Sequence, residues 1–171
     1  MKRLYLVRHA KSSWNHPELD DIDRPLNKRG KRDAPFMGQR LKKHGVCPDL
    51  IISSPAKRAL KTAKIIAEAM GYPKKRISVH KTLYLQGTQA ILNVIQHIDD
   101  THESAMLFGH NPDFTELAEQ LTDYQVDNIP TCGIFCVDFN ADSWQEVDEA
   151  KAVFAFFDYP KKHQRHGDGQ E

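Results

Sequence analysis

The chain has 171 residues, of which 40% are hydrophobic and 27% charged, a balance typical of one soluble globular domain with its own core. Lys and Arg number 24 against 23 Asp and Glu, so the formal charge of +1 favours neither nucleic acid nor a membrane as partner. The three cysteines (Cys47, Cys132 and Cys136) lack the spacing of a metal site or a disulfide framework. Because there is neither a signal-peptide pattern nor an apolar run of about 18 residues, we expect a cytoplasmic protein.

Along the chain, segments with the apolar pattern of a strand alternate with segments that have the apolar pattern of a helix. A buried strand over residues 4–7 precedes a polar loop over 11–26 and an amphipathic helix over 27–44, which ends at Gly45. The second strand, over 49–54, leads into a helix that begins near Pro55 and ends at Gly71. The remaining predicted elements are a short strand near 77–80, a helix over 88–98, a strand over 104–110, a helix over 112–121, and strands over 133–139 and 152–159.

Alternating strands and helices predict an α/β fold. We expect a three-layer αβα sandwich around a mostly parallel central sheet of about five to six strands. A single domain is expected over residues 1–160, followed by a polar tail over 161–171 that is expected to be disordered.

Cationic side chains follow three of the predicted strands. Arg8 and His9 end the first strand, and Arg58 lies in the first turn of the helix after the second. The strand over residues 104–110 ends on His110. Because ligands of open α/β sheets bind at the carboxyl ends of the strands, we expect these four side chains to converge.

Two arginines and two histidines suit phosphoryl transfer. Guanidinium groups bind phosphate with two hydrogen bonds and stay charged, and a helix N-terminus near residues 55–57 adds free amides. A neutral histidine can attack phosphorus, and the transition state needs chiefly charge stabilisation. Taken singly, His9 or His110 is more often a structural residue and Arg58 more often a solvated helix residue. A metal site is disfavoured because adjacent arginines oppose a dication.

Three motifs resemble one known family over essentially the whole chain. "LVRHAKSSWN" resembles the Arg-His-Gly signature of the histidine phosphatase superfamily, with Ala10 in place of the usual glycine. "SSPAKRALKTA" is similar to its second-arginine motif and "LFGHNP" to its second-histidine motif. "RHAKSSW" and "DDIDRPLNKRGKRDAP" resemble its small SixA-type phosphohistidine phosphatases in particular. The resemblance implies a fold like that of phosphoglycerate mutase.

The resemblance also implies roles for individual residues. His9 would be the nucleophile, which becomes transiently phosphorylated. The other catalytic and phosphate-binding residues that it implies are Arg8, Arg58 and His110. Further contacts to phosphate or substrate are implied for Asn15, Lys11 and Ser12. It implies no cofactor and no metal.

The general acid is the point at which the sequence departs from the family. Many relatives place a Glu or Asp near the end of a middle strand, whereas "TLYLQG" (residues 82–87) has no carboxylate. Either Asp23 or another acid of residues 18–23 protonates the leaving group, or no dedicated acid exists. The second option suits a phosphohistidine substrate, because its imidazole leaving group can carry its own proton. The acids of this loop also fit an ordinary solvated surface.

We therefore predict a metal-independent phosphatase that acts through a phosphohistidine on His9, with protein phosphohistidine as substrate. The chain leaves no room for a sizeable lid, so an open site would admit a phosphorylated protein, such as a phosphorelay histidine domain. Alternatives are a phosphatase of small phosphorylated molecules, a mutase, or a phosphate-binding module without activity. The basic cluster of the first helix either docks an acidic partner or is a solvated face; it comprises Lys28, Arg29, Lys31 and Arg32.

Overall fold

The computed structural model describes residues 1–164, and within them six strands form one sheet that has helices on both faces. The strands are β1 (Lys2–Arg8), β2 (Leu50–Ser53), β3 (Ser78–Val79), β4 (Ser104–Gly109), β5 (Ile134–Phe139) and β6 (Ala152–Asp158). The helices are α1 (Lys28–Lys43), α2 (Lys57–Met70), α3 (Thr88–Gln96) and α4 (Asp113–Leu121).

The sheet has the strand order β3-β2-β4-β1-β5-β6. Its first four strands are parallel, whereas β5 is antiparallel to both β1 and β6. Arg8 at the end of β1 pairs with Gly109 at the end of β4, so the residues that follow them lie side by side. The mostly parallel α/β sheet that the sequence predicts is confirmed.

Side chains of successive strand residues point to opposite faces, and this alternation divides the core in two. Leu4 and Leu6 of β1 pack with residues of α3 and α4 on one face. Tyr5 and Val7 pack with residues of α1 and α2 on the other. Because both faces are covered by helices, the strands read as continuous apolar runs, and the expected three-layer sandwich is confirmed.

Most elements differ from the prediction by one or two residues at an end, and two of these differences lie near the carboxyl edge of the sheet. Helix α2 begins at Lys57 rather than at Pro55, because Ala56 is extended and its N–H donates to Ser54 Oγ at 3.1 Å. Strand β3 has two residues rather than four, because it lies between the 3₁₀ turns Lys74–Arg76 and Lys81–Leu83 and pairs with β2 at only two positions within residues 1–164. Neither difference moves the carboxyl edge of the sheet.

The N-terminus of α1 lies against the loop that follows β1. Asn27 caps this helix, because its side chain accepts a hydrogen bond from the Gly30 N–H at 2.9 Å. A Cβ at Gly30 would lie 2.2 Å from the Lys11 carbonyl oxygen, so only glycine allows this approach. The capped helix end therefore sets the path of the chain just beyond His9.

Regular structure extends past the expected domain boundary at residue 160. The 3₁₀ turn Pro160–His163 lies at the end of β6, and His163 Nε2 is 2.5 Å from an Asp158 carboxylate oxygen. The rest of the predicted tail, residues 165–171, lies outside the described residues. Among the described helices, none combines the length and apolar character needed to cross a membrane.

Candidate active site

Backbone hydrogen bonds hold the end of β1 from two sides. The His9 N–H donates to the Gly109 carbonyl at 3.1 Å, and the Arg8 N–H donates to the Gly133 carbonyl at 3.1 Å. The Cys132 N–H is shared between the carbonyls of Arg8 and His9 at 3.1 and 3.0 Å. Because β4 and the loop before β5 both hold this segment, the direction of its side chains is fixed.

The His9 ring is neutral, and within residues 1–164 one of its two nitrogens has no hydrogen-bond partner. Its Nδ1 lies 2.7 Å from the Ala10 carbonyl oxygen, and a carbonyl can only accept, so Nδ1 carries the ring proton. The lone pair is consequently on Nε2. Burial lowers the pKa of His9 to about 3, and the positive field of Arg58 and Arg8 acts in the same direction. A neutral imidazole with a free Nε2 is a competent nucleophile.

The second histidine, His110, is hydrogen-bonded to a hydroxyl group. Its Nε2 lies 2.8 Å from Ser54 Oγ, which also accepts from the Ala56 N–H at 3.1 Å. Its Nδ1 is a buried atom that has no partner within residues 1–164, and it is a donor in the tautomer in which the Ser54 hydroxyl donates to Nε2. Burial is the main cause that lowers the pKa of His110 to about 3, and the charge of Arg58 acts in the same direction. The His9 and His110 ring centroids are 5.2 Å apart.

Arg58 is held by the 3₁₀ turn Asp21–Asp23. Its Nη1 donates to the Asp21 carbonyl at 2.7 Å and its Nη2 to Asp21 Oδ2 at 3.0 Å. The Tyr84 hydroxyl donates to the same oxygen at 2.5 Å, and Arg24 Nε donates to Oδ1 at 3.1 Å. Desolvation raises the pKa of Asp21, but the hydrogen bonds from Tyr84 and Arg58 outweigh it and hold that pKa well below its usual range. Asp21 is therefore an anion that orients two arginines.

Thr62 links the loop after His9 to the helix that carries Arg58. Its Oγ1 accepts from the Ala10 N–H at 3.0 Å and donates to the Arg58 carbonyl at 2.7 Å. Thr62 and Ala10 are both fully buried. One hydroxyl thus fixes the spacing between the two halves of the site.

These residues surround a cavity of about 180 Å³ at the carboxyl edge of the sheet. The lining residues are Arg8, His9, Lys11, Ser12, Trp14, Arg24, Arg58, Leu85, His110, Asn111 and Thr131. Within residues 1–164, the buried side-chain nitrogens that lack a partner are Arg8 Nε, Arg58 Nε and His110 Nδ1. All three belong to lining residues, and leaving a buried polar group unpaired costs about 1–3 kcal/mol. The two guanidinium N–H groups are donors, and they fit an anion with several oxygens.

The cavity brings together most of the residues that the sequence singled out. Its lining includes the four residues from the strand ends and also Lys11 and Ser12. Asn15 is exposed and is not among the lining residues.

Asp23 is exposed and also outside the lining, and the acid that contacts Arg58 is Asp21 instead. In a 3₁₀ turn of about three residues per turn, positions two apart point in different directions. Asp21 therefore faces Arg58 of the cavity, whereas Asp23 points away from it.

Arg24 and Tyr84 belong to the site but were not predicted from the sequence. Arg24 is buried and donates to Ser12 Oγ at 2.8 Å, while its guanidinium lies 3.6 Å from the centre of the Trp14 ring. Tyr84 reaches Asp21 across 63 residues of sequence. The apolar residues Pro25 and Leu26, which follow Arg24 directly, are a sequence signal that this loop segment packs inward; for Tyr84 the sequence contains no comparable signal.

Comparison with known sequences identifies relatives of the chain. The family model of the histidine phosphatase superfamily (branch 1) matches residues 4–83. An uncharacterised chloroplastic protein of Arabidopsis thaliana is 33% identical over 154 residues, which cover 85% of this chain and 70% of that protein. The 2,3-bisphosphoglycerate-dependent phosphoglycerate mutase of Nautilia profundicola is 43% identical over 72 residues, which are 41% of this chain and 31% of that enzyme.

Solved structures share the fold over nearly the whole chain. A proposed phosphohistidine phosphatase SixA from Agrobacterium tumefaciens superposes with a TM-score of 0.78 and is 27% identical, covering 93% of this chain and 98% of that one. The protein histidine phosphatase SixA in complex with tungstate gives a TM-score of 0.80 at 19% identity, covering 95% of this chain and 99% of that one. The sequence matches and this shared fold together show that the chain belongs to the histidine phosphatase superfamily.

Proposed function

We propose that this protein is a metal-independent phosphatase that forms a covalent phosphohistidine on His9, and that its substrate is phosphohistidine in another protein. One observation carries the proposal. A single small cavity combines the Nε2 lone pair of His9 with the Nε–H groups of Arg8 and Arg58 and the Nδ1 of His110, all three buried and without a partner within residues 1–164. In the proposed site, His110 Nδ1 carries a proton and is the third donor. A phosphoryl group is an anion with three oxygens, and such a group satisfies those donors while phosphorus faces the nucleophile.

The first step transfers the phosphoryl group to the enzyme. The lone pair of His9 Nε2 attacks phosphorus, and the bond from phosphorus to the substrate imidazole breaks as the new N–P bond forms. The departing ring leaves as neutral imidazole when its other nitrogen is already protonated, so the enzyme supplies no proton. His9 keeps its Nδ1 proton on the Ala10 carbonyl, which orients the ring throughout.

The second step returns His9 to its starting state. Water attacks phosphorus, the N–P bond breaks, and its electron pair returns to Nε2. The protons of the water leave with inorganic phosphate. In both steps Arg8, Arg58 and His110 stabilise the charge on the phosphoryl oxygens.

The lining of the cavity favours phosphohistidine over a phosphate ester. Among its eleven residues there is no carboxylate. The neighbouring Asp21 is ionised and paired with Arg58, so it is not poised to protonate an alkoxide. Trp14 and Leu85 are exposed at the cavity and offer an apolar surface that a protein substrate can contact.

A substrate panel tests the proposal. Wild type and His9→Ala are assayed with a phosphohistidine peptide, p-nitrophenyl phosphate and 3-phosphoglycerate, each with and without EDTA. We expect the peptide to be hydrolysed best, EDTA to have no effect, and His9→Ala to lose activity by a factor on the order of 10⁴ or more. Phosphate label on wild type should be labile in acid and stable in base. Turnover by His9→Ala at the wild-type rate, or inhibition by EDTA, would refute the mechanism.

A phosphatase of small phosphorylated molecules is the second candidate. The 43% identity to a phosphoglycerate mutase over 72 residues favours it. The same panel separates the two, because clear preference for 3-phosphoglycerate over the peptide would replace the protein substrate by a small one. Saturable peptide binding without release of phosphate would instead indicate a binding module without activity.

A further inference from the structure

A second concave surface lies beside the cavity, between α1 and α2. This surface, called the lysine groove below, has a volume of about 390 Å³. Its lining consists of Pro25, Leu26, Lys31, Lys57, Leu60, Lys61 and Lys64. The four lysines are exposed, whereas Leu26 is buried and the other two apolar residues are half-buried, so the groove has an apolar floor and a cationic rim.

The lysine groove and the cavity share a wall. Arg24 lines the cavity, and the next residues, Pro25 and Leu26, line the groove. At the start of α2, Lys57 lines the groove and the next residue, Arg58, lines the cavity. Consecutive residues therefore line the two sites, so the groove lies next to the cavity and within reach of a polypeptide whose phosphorylated side chain occupies the cavity.

The charge of the groove is not neutralised by the protein itself. Lys57, Lys61 and Lys64 follow a spacing of four and three residues, which places them on one face of α2, and Lys31 joins them from α1. Within the described chain, none of these four lysines forms an ion pair at up to 4.0 Å. Since the whole chain carries only +1, this local excess of positive charge is a feature of the groove.

We propose that the lysine groove binds an acidic polypeptide segment that adjoins the phosphorylated side chain of the substrate; this rests on the proposed function. Carboxylates of the segment pair with the lysine rim, and its aliphatic groups cover the floor. A cavity of about 180 Å³ holds the phosphoryl group and little beyond its leaving group, so the rest of a protein substrate has to lie outside it. The groove supplies that outer contact and selects for negative charge.

A polypeptide fits the groove better than a single-stranded nucleic acid. Base recognition without sequence preference relies on aromatic side chains that stack with bases, and the seven lining residues include no aromatic ring. Proline and leucine side chains provide instead the aliphatic contact that peptide chains use.

Two phosphohistidine peptides of equal length provide the kinetic test. One carries Asp and Glu beside the phosphohistidine, and the other carries Asn and Gln at those positions. They are assayed with wild type, with Lys61→Glu/Lys64→Glu in the groove, and with Lys42→Glu/Lys43→Glu, a matched control on the distant end of α1. We expect kcat/KM of the groove variant to fall about tenfold for the acidic peptide and less than about twofold for the neutral one. The control should keep both values.

Equal losses on the two peptides, or an unchanged preference of the groove variant for the acidic one, would overturn the proposal. A direct binding measurement keeps it testable if neither peptide is hydrolysed, a result that counts against the proposed function alone. The acidic peptide without phosphate, carrying a fluorescent label, is titrated with each protein and followed by anisotropy. We expect saturable binding that weakens with salt and is lost in the groove variant. Stronger binding of an oligothymidylate than of this peptide, or no saturable binding by wild type, would also overturn the proposal.

Discussion

The Asp21 carboxylate and the Arg58 guanidinium form an ion pair, with Nη2 and Oδ2 3.0 Å apart. The Arg58 side chain is 5% exposed and that of Asp21 43%, so a surface turn covers a buried cation. The pair also leaves Arg58 Nε as the part of the guanidinium without a partner in the described structure. Asp21 is thus a positioning residue for a group that we assign to phosphate binding.

Asp21→Asn should destabilise the protein and Asp23→Asn should not. The first substitution removes the anion that pairs with buried Arg58, and we expect the free energy of unfolding to fall by about 1–2 kcal/mol. Asp23 is exposed on the same turn and is the matched control. Urea unfolding measures both. If Asp23→Asn abolished hydrolysis of a phosphate ester while Asp21→Asn did not, Asp23 would be restored as the general acid.

Stability should decline on acidification because two buried histidines are neutral in the folded state. The pKa values of His9 and His110 are lowered from 6.5 to about 3 by burial, so the unfolded chain binds protons that the native chain does not. The free energy of unfolding is therefore highest above pH 6.5 and decreases as the pH falls towards 3. At about 1.4 kcal/mol per pKa unit, each histidine accounts for a loss of up to about 5 kcal/mol between pH 6.5 and pH 3.

Chemical unfolding between pH 7 and pH 4 measures this dependence. His9→Gln removes one of the two groups, so its stability should depend less steeply on pH. His44→Gln changes an exposed histidine and should leave the slope as in wild type. A wild-type stability that is constant over this range would contradict the prediction.

Thr62→Val should reduce both stability and activity, and Thr62→Ser should restore them. Valine has nearly the same shape but leaves the buried Ala10 N–H without its acceptor, at a cost of about 1–3 kcal/mol. Because Ala10 follows the proposed nucleophile, we also expect kcat to fall. Serine keeps the hydroxyl, so it separates loss of the hydrogen bond from loss of packing. Wild-type kcat in Thr62→Val would show that this contact does not position His9.

Inorganic phosphate should stabilise the wild-type protein without any other ligand. At a phosphate concentration about 100 times the Kd, the expected gain is about 2.7 kcal/mol. Arg8→Gln replaces a cation that lines the cavity and should lose most of the gain, while Lys43→Gln, which alters a distant exposed residue, should keep it. Thermal unfolding with phosphate or an equal ionic strength of chloride measures the difference. Equal gains in all three proteins would place the bound anion elsewhere.

Local sequence was sufficient to predict the fold and to predict that Arg8, His9, Arg58 and His110 meet at one edge of the sheet. Apolar runs and their periods predict the strands and helices, and the parallel arrangement brings the carboxyl ends of β1, β2 and β4 to one edge. Arg8, His9 and His110 lie directly at those ends, and Arg58 lies in the first turn of α2. Their convergence therefore follows from secondary structure and topology alone.

The surroundings of those four residues were decided by tertiary structure. The contact of Asp21 with Arg58 spans 37 residues and its contact with Tyr84 spans 63, so no local pattern distinguishes Asp21 from Asp23. The loop between β1 and α1 has no period of its own, and its path depends on Gly30 meeting Lys11 and on Arg24 packing under Trp14. The sequence alone determined which side chains meet at the carboxyl edge of the sheet. Packing of the loop decided which carboxylate orients them, because that choice rests on side-chain contacts between distant segments.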